Sequence, residues 1–410
     1  MFSFKSKFSF LVGWLVLAAG VVFAASAPAT APATAPGGSF IVTYPGPRRI
    51  NISIVSSSPP LQQLMQSAFS FHGGFESNNT SATQYVFDFE PVGANKVTVT
   101  VEPKTAGGQS FKVDASGATL NEAAYRAGDA IVEKLIQRPG FFSGKLAFVS
   151  ERTKYREIYI SDFLGQHVTT LTSDRSTTAV PHFSADGTRL LYTSYYKTGF
   201  PDIILTDLTK TPPTRSTLAS YSGTNTGGTF SPDGQHVAMI ISTNDGSTEL
   251  FVSDAQGRNP VRLTHDPKSS KASPSWSPDS KQIAFSADPR GHPLLYIISA
   301  SGGNMQVVPT NISDYCADPA WNPVDASKLA FMTEMGSQLF IAEYDFKTRA
   351  TTVFQEAVGA DPCWLNDGRH LVYTHRAAGA DQLYILDTET HMVKQLTHYG
   401  ASEASWVYVK

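Results

Sequence analysis

The sequence predicts a small N-terminal α/β domain followed by an all-β six-bladed β-propeller that the C-terminal strand closes. Three observations predict it. A turn of the type aromatic–Ser-Pro-Asp-Gly keeps returning: Phe183-Ser-Ala-Asp-Gly187, Phe230-Ser-Pro-Asp-Gly234 and Trp276-Ser-Pro-Asp-Ser280, with looser copies at Trp321-Asn-Pro-Val-Asp325 and Trp364-Leu-Asn-Asp-Gly368. With Trp406, these aromatics stand roughly 42 to 47 residues apart, the length of one propeller blade. The clearest helical apolar period in the chain comes immediately before the repeats begin.

Residues 1–27 read as a secretory signal. Lys5 and Lys7 supply the positive start, Phe8 to Phe23 the apolar run, and Ala25-Ser-Ala27 the small-x-small cleavage site. The run approaches the length of a membrane span, so an uncleaved anchor is the alternative. Residues 28–38 form an Ala/Pro/Thr tether, stiff and extended because proline disfavours helix. The expectation is export to the periplasm, cleavage near Ala27 and no membrane insertion afterwards.

Residues 39–141 follow another grammar. Ser39–Tyr44 and Ile50–Val55 read as strands, Pro59-Pro60 opens a helix that runs through Phe69, and Ser77–Ser81 is a turn-rich break. Gln84–Glu90, Lys96–Glu102 and Ser110–Asp114 alternate apolar and polar residues, as half-buried strands do. Leu120–Gln137 carries Leu120, Ala123, Ala124, Ala127, Ala130, Ile131 and Leu135 on one stripe, and Pro139-Gly140 ends it. This last helix is expected to dock the domain on the propeller.

Residues 142–410 are the propeller. In each turn Pro fixes φ, Asp caps through its side chain and Gly takes the left-handed conformation that follows. Alternating runs such as Lys145-Leu-Ala-Phe148 and Gln282-Ile-Ala-Phe285 give second strands. Glu157–Asp162, Glu249–Asp254 and Gln382–Asp387 give third strands, and polar runs such as Val261–Thr264 give fourth strands. The first unit starts in mid-blade and the last supplies only Ala404–Val409. Trp406 is therefore expected on the inner strand of the blade that begins at Lys145, closing the ring.

Composition excludes some partners. With 32 Lys+Arg against 35 Asp+Glu and a net charge of -3, nucleic acid and anionic membrane are not the main partners. No catalytic residue emerges. Gly140-Phe-Phe-Ser-Gly144 is not the Gly-x-Ser-x-Gly elbow, and the turn aspartates sit beside their glycines, unlike a sialidase Asp box. No phosphate loop, Cys-x-x-Cys or His-Glu-x-x-His spacing is present, so neither a cofactor nor a metal is expected from local motifs. His236 and His370 begin second strands and read as solvated edge residues. Cys316 and Cys363 precede inner strands of successive blades, as an inter-blade disulfide or as two buried thiols. Asn51-Ile-Ser53, Asn78-Asn-Thr80 and Asn311-Ile-Ser313 fit glycosylation sequons, and chance suffices for all three.

Surface remains. The segments leading into inner strands, Ser222–Gly228, Asp266–Ala272 and Asn311–Tyr315, are small, polar and irregular, as befits recognition loops on a rigid scaffold. The signal, the α/β domain ending in a long helix and the repeats quoted above are together similar to the TolB family. These are periplasmic propellers with WD40-like repeats in the Tol-Pal system of Gram-negative bacteria. That resemblance implies a non-enzymatic scaffold that binds the peptidoglycan-associated lipoprotein Pal and communicates with TolA of the inner membrane. It further implies a role in outer-membrane integrity and constriction at division. It selects Thr224, Asn225, Gly227 and Ala272 as partner contacts, and Lys271 and Asp314 join them from the same mouth segments. Two other readings fit the fold: a module that binds cell-wall glycan or a small ligand, or one that gates a hydrolase carried on another chain.

Overall fold

Alternation along Tyr85–Pro91 and Lys96–Pro103 puts Phe87, Phe89, Val97, Val99 and Val101 on one face, where all five are buried. In the computed structural model, which describes residues 49–408 apart from 78, 79, 106, 107, 245 and 378, that face belongs to a five-stranded sheet. The strands are β1 (Ile50–Val55), β2 (Phe75–Ser77), β3 (Tyr85–Pro91), β4 (Lys96–Pro103) and β5 (Phe111–Ser116), in the order β2-β1-β3-β4-β5. β2 and β3 run parallel to β1; β4 and β5 continue antiparallel. The edge strand β2 is missing from the sequence reading because three residues are too few to show a period. The expected signal, tether and strand Ser39–Tyr44, and the sequon at Asn78, lie outside the described residues.

Helices α1 (Pro59–Phe69) and α2 (Leu120–Ile136) cover the buried face. α2 starts where the Thr119 side chain accepts from Glu122 N and ends at left-handed Gln137, just before the predicted Pro139 stop. Its apolar stripe is interrupted by Asp129, which is buried and accepts from Phe142 N at 2.6 Å and Ser143 N at 3.0 Å. Burial pushes the Asp129 carboxyl up to about 7 against these donors. Gly140 and Gly144 are glycine for space: a Cβ would lie 2.3 Å from Asp129 Cα in the first case and 1.5 Å from the Trp406 ring in the second. The Gly140–Gly144 segment is thus a connector squeezed between helix and propeller.

Six four-stranded antiparallel sheets follow. The inner strand of blade 1 is Ser402–Val407, paired with Lys145–Ser150, so the C-terminus closes the ring in the expected register. Inner strands of blades 2 to 6 are Thr178–Phe183, Asn225–Phe230, Lys271–Trp276, Cys316–Trp321 and Ala360–Trp364. Two of the marker tryptophans lock neighbouring blades together. Trp276 Nε1 donates to Thr229 O at 3.1 Å and Trp364 Nε1 to Ala320 O at 2.9 Å, each crossing to the preceding blade. In the turns, Ser184, Ser231 and Ser277 donate to Asp186, Asp233 and Asp279, whose carboxylates also accept from the chain two residues on. Cys316 and Cys363 are unbridged.

The α/β domain docks on the propeller face that carries these turns, over blades 6 and 1, and shares one apolar core with it. Phe69, Phe71, Phe141 and Phe142 pack with Phe163, Leu365 and Leu396. Charge accompanies the apolar contact. Arg138 reaches Glu389 at 2.6 Å, and Asn366 Nδ2 donates to Gly140 O at 2.9 Å. Arg369 grips Asp387 with two donors, at 2.9 and 2.6 Å. His370, read from the sequence as a solvated edge residue, is fully buried here. Its Nδ1 lies 2.5 Å from Asp367, its Nε2 lies 3.4 Å from Asp387, and the ring of His72 from the α/β domain covers it at 4.7 Å. The sequence reading failed because it could not see the domain that removes water from this strand end.

Burial alone would lower the His370 pKa, yet Asp367 and Asp387 hold it up at about 9; burial, with the His370 cation close by, drives His72 well below its usual range. Two predictions follow from this packing. Deleting residues 402–410 removes the inner strand of blade 1, and cooperative loss of the propeller is expected; an unchanged melting temperature would refute the closure. Replacing His370 by Ala strands two buried carboxylates and is expected to cost about 3–5 kcal/mol in denaturant unfolding. The raised folded pKa sets the sign of its pH dependence. The gap between native and variant should be full below 6.5 and fade as pH rises through about 9.

Candidate functional site

A propeller strand that must bend around a central channel needs somewhere to put the bend. Every inner strand here carries one residue in the left-handed region, at a register shift in its pairing: Val180, Gly227, Ser273, Asp318, Asp361 and Glu403. These six form a ring in the channel, and three consecutive members are carboxylates. Ser273 Oγ donates to Asp318 at 2.7 Å, Val180 N donates to Glu403 at 2.7 Å, and Arg156 is paired with Glu403. Burial first, then the charges of Asp318 and Glu403, raises Asp361 well above its usual range; burial likewise raises Asp318. An arc of crowded carboxylates is a donor set for a hard cation or a retained proton. At the domain junction, donor atoms of His72, Asp367 and His370 lie within 4.8 Å of one another. There His370 Nδ1 is engaged by Asp367 and His72 Nδ1 accepts from Gly74 N, so the geometry is that of an ion pair and its cover.

The opposite mouth is made of the loops leading into inner strands and those joining second to third strands. All six predicted contact residues belong to the lead-in segments of blades 3, 4 and 5, but they point differently. Asn225 is fully buried: its Nδ2 donates to Tyr221 O at 2.7 Å and Pro201 O at 3.2 Å, and its Oδ1 accepts from Tyr221 N at 2.9 Å. Lys271 is also fully buried. Its Nζ donates to Asp266 O at 2.5 Å and Ser269 O at 2.6 Å and lies 3.3 Å from buried Glu249. Neither side chain is offered to a partner; each pins a loop from beneath, since a buried polar group must find its bonds inside. Gly227 is blade 3's member of the left-handed channel ring, and a Cβ there would sit 3.0 Å from Pro274. Thr224 and Ala272 are half-buried at the rim, and Asp314 is exposed. The sequence reading selected these segments but could not separate buried frame from surface.

Sequence reasoning missed the exposed aromatics of this face. Among the described residues the large exposed aromatics are Tyr155, Tyr196, Phe200 and Tyr221, and all four stand on these loops. An aromatic in a loop rather than at a repeat position was the available signal. For the channel ring, replacing Asp361 by Asn relieves a carboxylate that folding disfavours. A rise in melting temperature at about pH 7 is expected, shrinking as pH falls toward about 4 and the native carboxyl takes up its proton. An unchanged or lower melting temperature at neutral pH would contradict the crowding.

Comparison with known proteins agrees with this architecture. The family model described as TolB beta propeller domain matches residues 132–409. The Tol-Pal system protein TolB of Bordetella pertussis is 28% identical over 185 residues, which is 45% of this chain and 41% of that protein; its Bordetella parapertussis counterpart matches to the same extent. The aligned stretch therefore spans less than half the length of these curated relatives. The crystal structure of TolB from Acinetobacter baumannii superposes with a TM-score of 0.77 at 22% identity, over 88% of this chain and 98% of that one. The putative TolB of Agrobacterium tumefaciens gives a TM-score of 0.51 at 16% identity, over 63% of this chain and 91% of that one. These structures share the fold. With most of its length matched by the family model, the chain belongs to the TolB β-propeller family.

Proposed function

We propose that this protein is a non-enzymatic scaffold of the periplasmic Tol-Pal system, which binds a Pal-like peptidoglycan-associated lipoprotein at the open mouth of its propeller. The observation that carries the reading is the division of the two faces. The α/β domain covers the turn face over blades 6 and 1, while among the described residues no domain sits on the lead-in face, which is held rigid by buried Asn225 and Lys271. A preformed, uncovered loop surface on a closed ring is suited to binding a folded partner at low ordering cost. In this reading Thr224, Ala272 and Asp314 touch the partner, and Asn225, Gly227 and Lys271 shape the surface beneath them. Residues 1–27 direct export and are removed near Ala27, residues 28–38 form a tether, residues 39–141 the α/β domain and residues 142–410 the propeller. The N-terminal region is the part facing a TolA-like inner-membrane protein, and the whole supports outer-membrane integrity and constriction during division.

The test is capture from envelope fractions under mild cross-linking. Recovery of an outer-membrane lipoprotein with a peptidoglycan-binding domain is expected; its repeated absence, or retention by purified glycan instead, would overturn the reading. Ala272→Arg, at the rim, is expected to weaken capture tenfold or more with little change in melting temperature, the scale of a contact worth above about 1.4 kcal/mol. Asn225→Ala should lower the melting temperature, because it removes the buried amide that bonds both the N–H and the carbonyl of Tyr221 and adds a second bond to Pro201 O.

A further inference from the structure

The lead-in face is not uniform, and its unevenness falls in one sector. Tyr155, Tyr196, Phe200 and Tyr221 are 40%, 60%, 65% and 46% exposed, respectively. They stand on three loops: 151–156 of blade 1, 195–201 of blade 2, and 220–224, which leads into blade 3. Main-chain bonds tie these loops into one surface. Thr178 N donates to Arg156 O at 3.0 Å, Tyr195 N to Thr177 O at 3.1 Å, and Asn225 N to Pro201 O at 3.0 Å. The buried Asn225 amide then fixes Tyr221 from both its N–H and its carbonyl. Four aromatic side chains are thus displayed on backbone that is already ordered. Exposed aromatics in that setting gain contact area on binding while losing little conformational freedom.

The same sector is basic. Arg152, Lys154, Arg175 and Lys197 are exposed on or between these loops. Of the carboxylates near them, Asp174 is held by Arg215 at 2.5 Å, while Glu151 is exposed and lies 3.8 Å from Arg156, which is also paired with Glu403. Lys197 Nζ donates to the Thr217 hydroxyl at 3.0 Å and has no carboxylate beside it among the described residues. Asp314, on the lead-in loop of blade 5, and Glu334, at the end of its second strand, are by contrast exposed across the mouth. A partner that matches the aromatic sector must carry carboxylates next to apolar side chains, because burying the aromatics would otherwise strand four cations at the rim.

We propose that the blade 1–2 sector, with Tyr196, Phe200 and Tyr221 as its apolar centre and Lys197 and Arg175 at its rim, anchors an acidic, apolar segment of the lipoprotein partner. This rests on the preceding reading and names where on the open face the binding energy is concentrated. The predicted mouth residues of blades 3 to 5 then act as the border of the contact and this sector as its anchor.

Titration calorimetry and stopped-flow mixing test it. The native chain is mixed with the soluble domain of the same organism's peptidoglycan-binding lipoprotein, prepared without its acyl chain. Tyr196→Ala combined with Phe200→Ala is expected to weaken binding tenfold or more, chiefly through faster dissociation. Lys197→Glu combined with Arg175→Glu is expected to slow association several-fold at low salt and to flatten its salt dependence. All four side chains are exposed, so melting temperatures should stay close to native. If the native chain binds and both double variants bind within twofold of it, the anchor is refuted while the scaffold reading stands. If the native chain does not bind the lipoprotein domain at all, the scaffold reading fails and the anchor fails with it.

Discussion

The pairing of Ser402–Val407 with Lys145–Ser150 is the constraint on which the structure depends. A propeller blade buries its faces only against its two neighbours, so an open ring leaves two apolar sheet faces in water. Closure here joins strands more than two hundred and fifty residues apart and happens where the α/β domain also docks. Trp406 packs on Gly144 and, edge-on, against Phe163 at 6.3 Å, so the closing strand, the inter-domain connector and blade 1 meet in one place. Ring and docking therefore support each other.

The docking interface combines an apolar centre with a dry ionic group, and the second makes the first particular. Asp367 begins as a turn residue like Asp186 or Asp233, with one oxygen capping the chain after it. Its other oxygen meets His370, and the pair is buried because His72 and Phe141 cover it. Gly73 lets the α/β domain come this close, since a Cβ there would stand 2.1 Å from Asp387 Oδ2. Buried ion pairs contribute little net stability over apolar packing, but misalignment strands charges, so they fix one docking geometry.

On the lead-in face, Asn225 and Lys271 show how the loops are held: each bonds main-chain carbonyls from beneath, which leaves the small rim residues and the loop aromatics at the surface. In the channel, crowding Asp318, Asp361 and Glu403 on one side costs folding free energy, which a bound proton or cation would relieve.

The sequence by itself determined the elements whose information is local and repeated. The turns, the blade count, the closing strand and the strong helix were all legible because turn chemistry and hydrophobic period act within a few residues. Three-residue β2 was not, having no period to read. Everything that depended on which side of a strand end faces water was decided by the tertiary structure. His370 looks like His236 in the sequence, each opening a second strand, yet one is exposed and the other buried beneath a second domain. Asn225 and Lys271 likewise read as polar loop residues, and only the packing of neighbouring loops turns them inward. Solvent access is a property of the whole assembly, and no local pattern encodes it.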